Sequence, residues 1–78
     1  DLVEHWFNRR YRTLRRDVYL RHDAFGWYVR ARRGGAEGVE VTHPFTDASA
    51  ARAMVDRLKA ATPPEESDWA LMPTRPSS

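Results

Sequence analysis

The sequence predicts a single small α+β domain in which two helices flank a three-stranded antiparallel sheet, in the order αβββα. Residues 1–16 and 46–61 carry apolar side chains at spacings of three and four, which is typical of amphipathic helices. Residues 18–43 are instead rich in β-branched and aromatic residues and contain short glycine-bearing turns, which is typical of strands. With 78 residues, the chain has room for one such domain.

The first predicted helix covers residues 1–16. Five residues form its apolar stripe: Val3, Trp6, Phe7, Tyr11 and Leu14. Four arginines lie on its other face: Arg9, Arg12, Arg15 and Arg16. We expect the stripe to pack on the core, and the arginines either to contact an anionic partner or to be solvated.

The central region predicts a β-hairpin followed by a third strand. Residues 18–23 and 27–33 form the hairpin, joined by a short turn in which Gly26 can adopt a positive φ. A glycine-rich loop then leads to a strand over residues 39–43. Pro44 is expected to end the pairing of that strand, because proline has no backbone N–H to donate.

The second helix is predicted between Thr46, as its N-cap, and Pro63, which follows its last turn. Four residues of its apolar stripe are Ala51, Met54, Val55 and Leu58. We place the domain at residues 1–62 and a C-terminal tail at residues 63–78. Trp69 is expected to fold back over the core, with a docking peptide as the alternative, and residues 73–78 are expected to be disordered.

Alternation along the strands separates the predicted sheet into two faces. One is apolar and should pack against the second helix. The other carries tyrosines and arginines: Tyr19, Arg21, Tyr28, Arg30 and Arg32. Arginine neutralises phosphates and can form two hydrogen bonds with a guanine edge, and tyrosine stacks on bases. The residues of this face therefore favour binding of nucleic acid. Two other interpretations remain open, namely a protein-contacting or solvated face and a face covered by the first helix.

Charge and composition limit the other function classes. Residues 1–33 hold nine arginines against four carboxylates, so the basic charge is concentrated in the first half of the chain. The chain has no cysteine, its three histidines lie on separate predicted elements, and no glycine-rich phosphate loop is present. We therefore expect no enzyme activity, no metal and no cofactor. Neither a signal peptide nor a membrane span is visible, so we expect a cytoplasmic protein without membrane contact.

The predicted order of elements over residues 1–61 resembles the double-stranded-RNA-binding domain. Residues 18–61 resemble the arm-type DNA-binding domain of tyrosine integrases and the plant ethylene-response-factor domain. Two segments carry this second resemblance: Gly26-Trp27-Tyr28-Val29-Arg30 and Phe45-Thr46-Asp47-Ala48. Those families place arginines and aromatic residues on an exposed sheet face, which implies the same role here for Arg21, Tyr28, Arg30 and Arg32.

Together these observations predict a non-enzymatic module that binds nucleic acid, with duplex DNA as its ligand. The predicted contact residues are the five on the Tyr/Arg sheet face together with three from the first helix: Arg9, Arg12 and Arg16. The alternative is a protein-interaction or homodimerisation module, because a short sheet edge and an aromatic, basic helix could also pair with a partner.

Overall fold

The computed structural model describes residues 1–35 and 37–74 and shows a five-stranded antiparallel sheet with one α-helix. The prediction of two helices flanking three strands is therefore wrong. The strands and helix are β1 (Leu2–Phe7), β2 (Arg16–Asp23), β3 (Gly26–Arg33), β4 (Val39–Phe45), α1 (Ala48–Ala61) and β5 (Ala70–Met72). Single 3-10 turns occur at Arg12–Leu14 and Pro64–Glu66. The strand order is β4-β3-β2-β1-β5.

The predicted first helix is the element that the structure replaces. Residues 2–7 form β1, which pairs with β2 so that Trp6 lies opposite Val18 and Phe7 opposite Asp17. Valine, tryptophan and phenylalanine favour strands. An irregularity in the register between Leu2 and Glu4 disturbs the two-residue alternation of side chains by which a strand is recognised in a sequence. Arg9 and Arg12 adopt φ values of 57° and 58°, which a right-handed helix excludes.

The three strands predicted from residues 18–43 lie within β2, β3 and β4, but β4 continues through Pro44 to Phe45. The backbone register explains why. The backbone of His22 bonds to Asp1, on the β1 side, and so makes no backbone bond to Trp27, its partner on β3. The N–H and C=O of Trp27 are therefore directed toward Phe45 on β4. Alternate residues of β4 therefore direct their backbone N–H and C=O away from β3, and Pro44 occupies one of these positions. Because an outward position donates no bond to β3, proline costs the sheet nothing there.

Helix α1 packs on β2, β3 and β4 and closes the core. Its N-cap is Asp47 rather than the predicted Thr46, and the Asp47 carboxylate accepts a 2.8 Å hydrogen bond from the amide of Ala50. Five buried residues form the core: Val18, Leu20, Val29, Ala51 and Val55. The predicted apolar stripe of the second helix thus meets the predicted apolar face of the sheet.

The C-terminal segment returns to the sheet beside the first strand. β5 pairs with β1, and the partly buried Trp69 packs against the core. Of residues 73–78, for which disorder was predicted, positions 75–78 lie outside the described residues. The chain is thus a small α+β domain without cysteine.

Candidate nucleic-acid interface

The side of the sheet that faces away from α1, here called the open face, carries the predicted tyrosines and arginines. Val18 and Leu20 pack toward α1, so the residues that alternate with them along β2 point the opposite way. Five predicted site residues meet on the open face: Tyr19, Arg21, Tyr28, Arg30 and Arg32. Their side chains are half-buried. Because residues 1–16 form β1, a loop with a single 3-10 turn and the first residue of β2 rather than an α-helix, the alternative that a first helix covers this face is wrong.

Tyrosine and arginine face each other across the β2–β3 pairing. Tyr19 lies opposite Arg30, and Arg21 lies opposite Tyr28. Side chains directly opposite in an antiparallel pair are close neighbours, so each tyrosine has an arginine as its cross-strand neighbour. The open face thus presents alternating flat rings and cations on two strands in the interior of the sheet.

The positive charge of the open face is only partly neutralised. Nη1 of Arg30 lies 3.9 Å from a carboxylate oxygen of Glu40 on β4. Nη2 of Arg32 donates a 3.4 Å hydrogen bond to the carbonyl of Gly35, and neither Arg32 nor Arg21 forms an ion pair with any carboxylate of the described residues. Two guanidiniums therefore remain without a counter-ion from this part of the chain.

A buried carboxylate organises the middle of the open face. Asp17 is 2% exposed; its Oδ1 lies 2.7 Å from Nε2 of His5, and its Oδ2 accepts a 2.9 Å bond from Nε of Arg15. Burial alone would raise the pKa of Asp17, but the hydrogen bonds and charges of Arg15 and His5 outweigh it and lower that pKa. Asp17 is therefore ionised near neutral pH, and its Oδ1 accepts a hydrogen bond from the Nε2–H of His5.

The Asp17 pairing also positions an aromatic stack. The ring of His5 lies against Tyr19 with 4.4 Å between centroids and 16° between planes. Burial and the nearby charge of Asp17 raise the pKa of Tyr19, which keeps its phenol neutral. A helix over residues 1–16 would not place His5 opposite Tyr19, so the roles of His5 and Asp17 could not be predicted from the sequence.

The open face extends toward the loop between β1 and β2 through a second aromatic group. The guanidinium of Arg15 lies 4.7 Å from the ring centroid of Phe7, and Tyr11 meets Phe7 edge to face at 5.7 Å. Tyr11 is 68% exposed. An aromatic and cationic surface therefore continues from β3 through β1 into this loop.

The three arginines predicted to support the interface from a helix are dispersed. Arg9 and Arg12 lie in the loop after β1, and Arg9 is 3.8 Å from Asp68. Arg16 begins β2 on the α1 side of the sheet, with its Nε 3.7 Å from Glu66. The structure thus places Arg16 on the opposite side from the five open-face residues, and no helix face unites these three arginines.

Asn8 holds that loop in place. It is fully buried; its amide nitrogen donates to the carbonyls of Leu14 and Glu66 at 3.0 Å, and its oxygen accepts from the amides of Arg10 and Arg16 at 3.3 and 2.8 Å. One side chain thus satisfies four backbone groups from three segments, which determines where the loop arginines lie relative to the sheet.

A shallow recess of about 240 Å³ opens on the open face near the β2–β3 turn. Its lining combines one aromatic ring with several polar groups: Tyr28, Arg21, Arg30, Asp23 and Thr42. The guanidiniums donate hydrogen bonds, the carboxylate accepts them, and the hydroxyl does either. The recess can therefore bind a flat polar ring by its face and its edge.

The other side of the sheet has a groove of about 200 Å³ between β4 and α1, with mostly apolar walls. Val39 and Val41 of β4 line it and are 60% and 48% exposed. Leu58 and Trp69 line it from the helix and the C-terminal segment. The edge of β4 is thus both unpaired in its backbone and apolar in its exposed side chains.

The histidines do not form a metal centre. His5, His22 and His43 lie on β1, β2 and β4, and residues 1–35 and 37–74 contain no group of three potential ligands. Within the same residues, no helix is long and apolar enough to cross a membrane.

Comparison of the chain with protein-family models, with curated proteins and with solved structures gave no match. The resemblances noted in the sequence therefore gain no support from these comparisons.

Proposed function

We propose that this protein is a non-enzymatic, cytoplasmic module that binds nucleic acid through the open face. The observation that carries the proposal is the alternation of Tyr19, Arg21, Tyr28 and Arg30 as cross-strand neighbours on a face that α1 does not cover. Phosphate contacts supply most of the affinity of such surfaces, and aromatic rings add stacking on bases.

Arg21 and Arg32 are the residues best suited to bind phosphate. Neither is paired with a carboxylate among the described residues, so a phosphate would not have to displace a carboxylate. At Arg32 it would compete with the 3.4 Å hydrogen bond to the carbonyl of Gly35. Arg30 forms an ion pair with Glu40 at 3.9 Å, so it contributes less net positive charge to phosphate binding. We therefore expect Arg21 and Arg32 to contribute most of the salt-dependent part of the binding free energy.

The test is a titration of the purified protein into a fluorescently labelled oligonucleotide of mixed sequence, read by anisotropy at several salt concentrations. Arg21→Gln and Arg32→Gln should each weaken binding and reduce the slope of log K against log salt by about one unit. Arg57→Gln is the matched control, because Arg57 is exposed on α1, away from the open face, and among the described residues its guanidinium bonds only to the sulfur of Met54.

Two results would overturn the proposal. One is an affinity that does not change between about 50 and 200 mM salt, since phosphate binding releases counter-ions. The other is an equal loss in Arg21→Gln and Arg57→Gln, which would mean that net charge rather than the open face governs binding.

A second candidate function is self-association through β4, favoured by its outward-pointing backbone groups and by exposed Val39 and Val41. Thr42→Pro removes an outward N–H without removing a bond to β3, so a dimer formed there should dissociate in sedimentation equilibrium. A chain that sediments as a monomer before substitution would exclude this candidate.

A further inference from the structure

We infer that the open face takes single-stranded nucleic acid rather than a duplex, an inference that rests on the proposed function. The expectation of duplex DNA assumed a narrow, three-stranded sheet that could enter the major groove. The five-stranded sheet changes both the width of the surface and the location of its contact residues.

Width argues against a duplex. Strands lie about 4.8 Å apart, so the outer strands of a five-stranded sheet are about 19 Å apart, whereas the major groove of B-DNA is about 12 Å wide. The Tyr/Arg residues sit on β2 and β3, which are flanked by β1 on one side and β4 on the other. If β2 and β3 entered the major groove, the phosphates on its two sides would collide with the flanking strands β1 and β4.

The recess beside Tyr28 argues for an unpaired base. Its lining provides a ring for stacking and, at the margin, donors from Arg21 and Arg30 and acceptors from Asp23 and Thr42. Asp23 uses one carboxylate oxygen, Oδ1, to accept the amide of Phe25 at 2.8 Å, which leaves Oδ2 free of that bond. A base in a duplex has its pairing edge occupied and its faces stacked, so only an unstacked base can use the ring and these edge groups together.

Aromatic side chains lie on three neighbouring strands of the open face. Tyr28 lies on β3, Tyr19 on β2, and His5 and Phe7 on β1. Tyr28 lies opposite Arg21 and Tyr19 lies opposite Arg30, so the two tyrosines are diagonal neighbours, about 7–8 Å apart, and each can contact a separate base. Among the described residues Arg21 has no carboxylate partner, so it can neutralise a phosphate beside a base that stacks on Tyr28.

The experiment compares four ligands of equal length with the full chain: a single DNA strand, an RNA strand of the same sequence, the DNA duplex, and a DNA strand in which abasic sites replace the central bases. The abasic strand keeps its phosphates and loses its rings. We expect the DNA or RNA strand to bind at least about tenfold more tightly than the duplex, and the abasic strand to lose at least about fivefold, as the loss of one stacked base predicts.

Protein variants separate stacking from charge. Tyr28→Leu should weaken single-strand binding about 5- to 100-fold with an unchanged salt slope, whereas Tyr28→Phe, which keeps the ring, should bind within about twofold of the parent. Circular dichroism checks the fold of each variant. If Tyr28→Leu does not fold, the abasic strand still decides the question with the unsubstituted protein.

The outcomes distinguish the two proposals. A duplex that binds as tightly as the single strand, with Arg21→Gln still reducing the salt slope, overturns the single-strand inference and leaves nucleic-acid binding intact. An abasic strand that binds as well as the parent strand also overturns it. Absence of salt-dependent binding to all four ligands overturns nucleic-acid binding itself.

Discussion

Replacing Asn8 with alanine removes a buried side chain that ties the loop after β1 to the rest of the fold. In the native structure its amide makes four hydrogen bonds, to backbone groups of Arg10, Leu14, Arg16 and Glu66, at 2.8 to 3.3 Å. Asn8 is fully buried, so alanine leaves a polar cavity and several backbone groups without partners.

The magnitude follows from the number of bonds. A hydrogen bond contributes about 0.5–1.5 kcal/mol to the free energy of unfolding, and four such bonds contribute about 2–6 kcal/mol. The 3.3 Å bond from the amide of Arg10 is the longest of the four, so the lower part of that range, about 2–4 kcal/mol, is expected. A domain of 78 residues has about 4–12 kcal/mol in total, so the loss is a large fraction of its stability.

The assay is urea unfolding followed by circular dichroism, with hydrogen exchange as a local readout. The amide of Arg16, which donates to Asn8 at 2.8 Å, should exchange faster in Asn8→Ala. Arg10→Ala is the control, because its guanidinium makes only surface contacts among the described residues: hydrogen bonds to the carbonyls of Arg9 and Glu65 and a 4.0 Å ion pair with Asp68. Its loss should cost less than about 1 kcal/mol. Equal unfolding midpoints for the two variants would refute the role assigned to Asn8.

Three further predictions concern other parts of the fold. Because the pKa of Asp17 is lowered in the native state, its stabilising effect is complete above the ordinary carboxyl pKa and is lost as the pH falls through the lowered value. The stability difference between the parent and Asp17→Asn should therefore shrink on acidification below about pH 4, measured by urea midpoints; a difference independent of pH would contradict this. Gly26→Ala should destabilise by about 1–3 kcal/mol, since φ is +147° and the added Cβ would lie 2.8 Å from the carbonyl oxygen of Phe45; a thermal midpoint equal to the parent's would argue against that strain. Leu20→Ala should cost about 2–5 kcal/mol while Leu71→Ala, at 56% exposure, costs less than about 0.5, and similar losses in both would contradict the assigned core.

The sequence predicted those parts of the fold whose signals are local. Gly26 directly follows the β2–β3 turn, the strands carry β-branched and aromatic residues, and α1 has a continuous apolar stripe before Pro63. The three strands predicted from residues 18–43 therefore lie within β2, β3 and β4, and the predicted second helix coincides with α1 except at its N-cap. The first helix was wrong because Val3, Trp6 and Phe7 fit a helical spacing and a strand with an irregular register equally well. Only pairing with β2 and β5, which is not local, decides between them.

The same difference between local and non-local signals applies to the residues of the open face. Tyr19, Arg21, Tyr28, Arg30 and Arg32 could be grouped from the sequence because they alternate along two strands joined by a short turn. His5 and Phe7 could not, since their place on this face depends on the position of β1. Arg16 was grouped with the interface on the basis of a helix that does not form, and the structure places it on the α1 side.

The pairing of β5 with β1 has a consequence for how the chain acquires its structure. The residues that pair, such as Phe7 with Ala70, are more than sixty positions apart, whereas β2, β3 and β4 are joined by short connections. Closing a long loop costs more entropy than closing a short one, so the hairpins should form first and β5 last. During synthesis, β1 would therefore remain an unprotected edge, with Trp6 incompletely covered, until Met72 has left the ribosome.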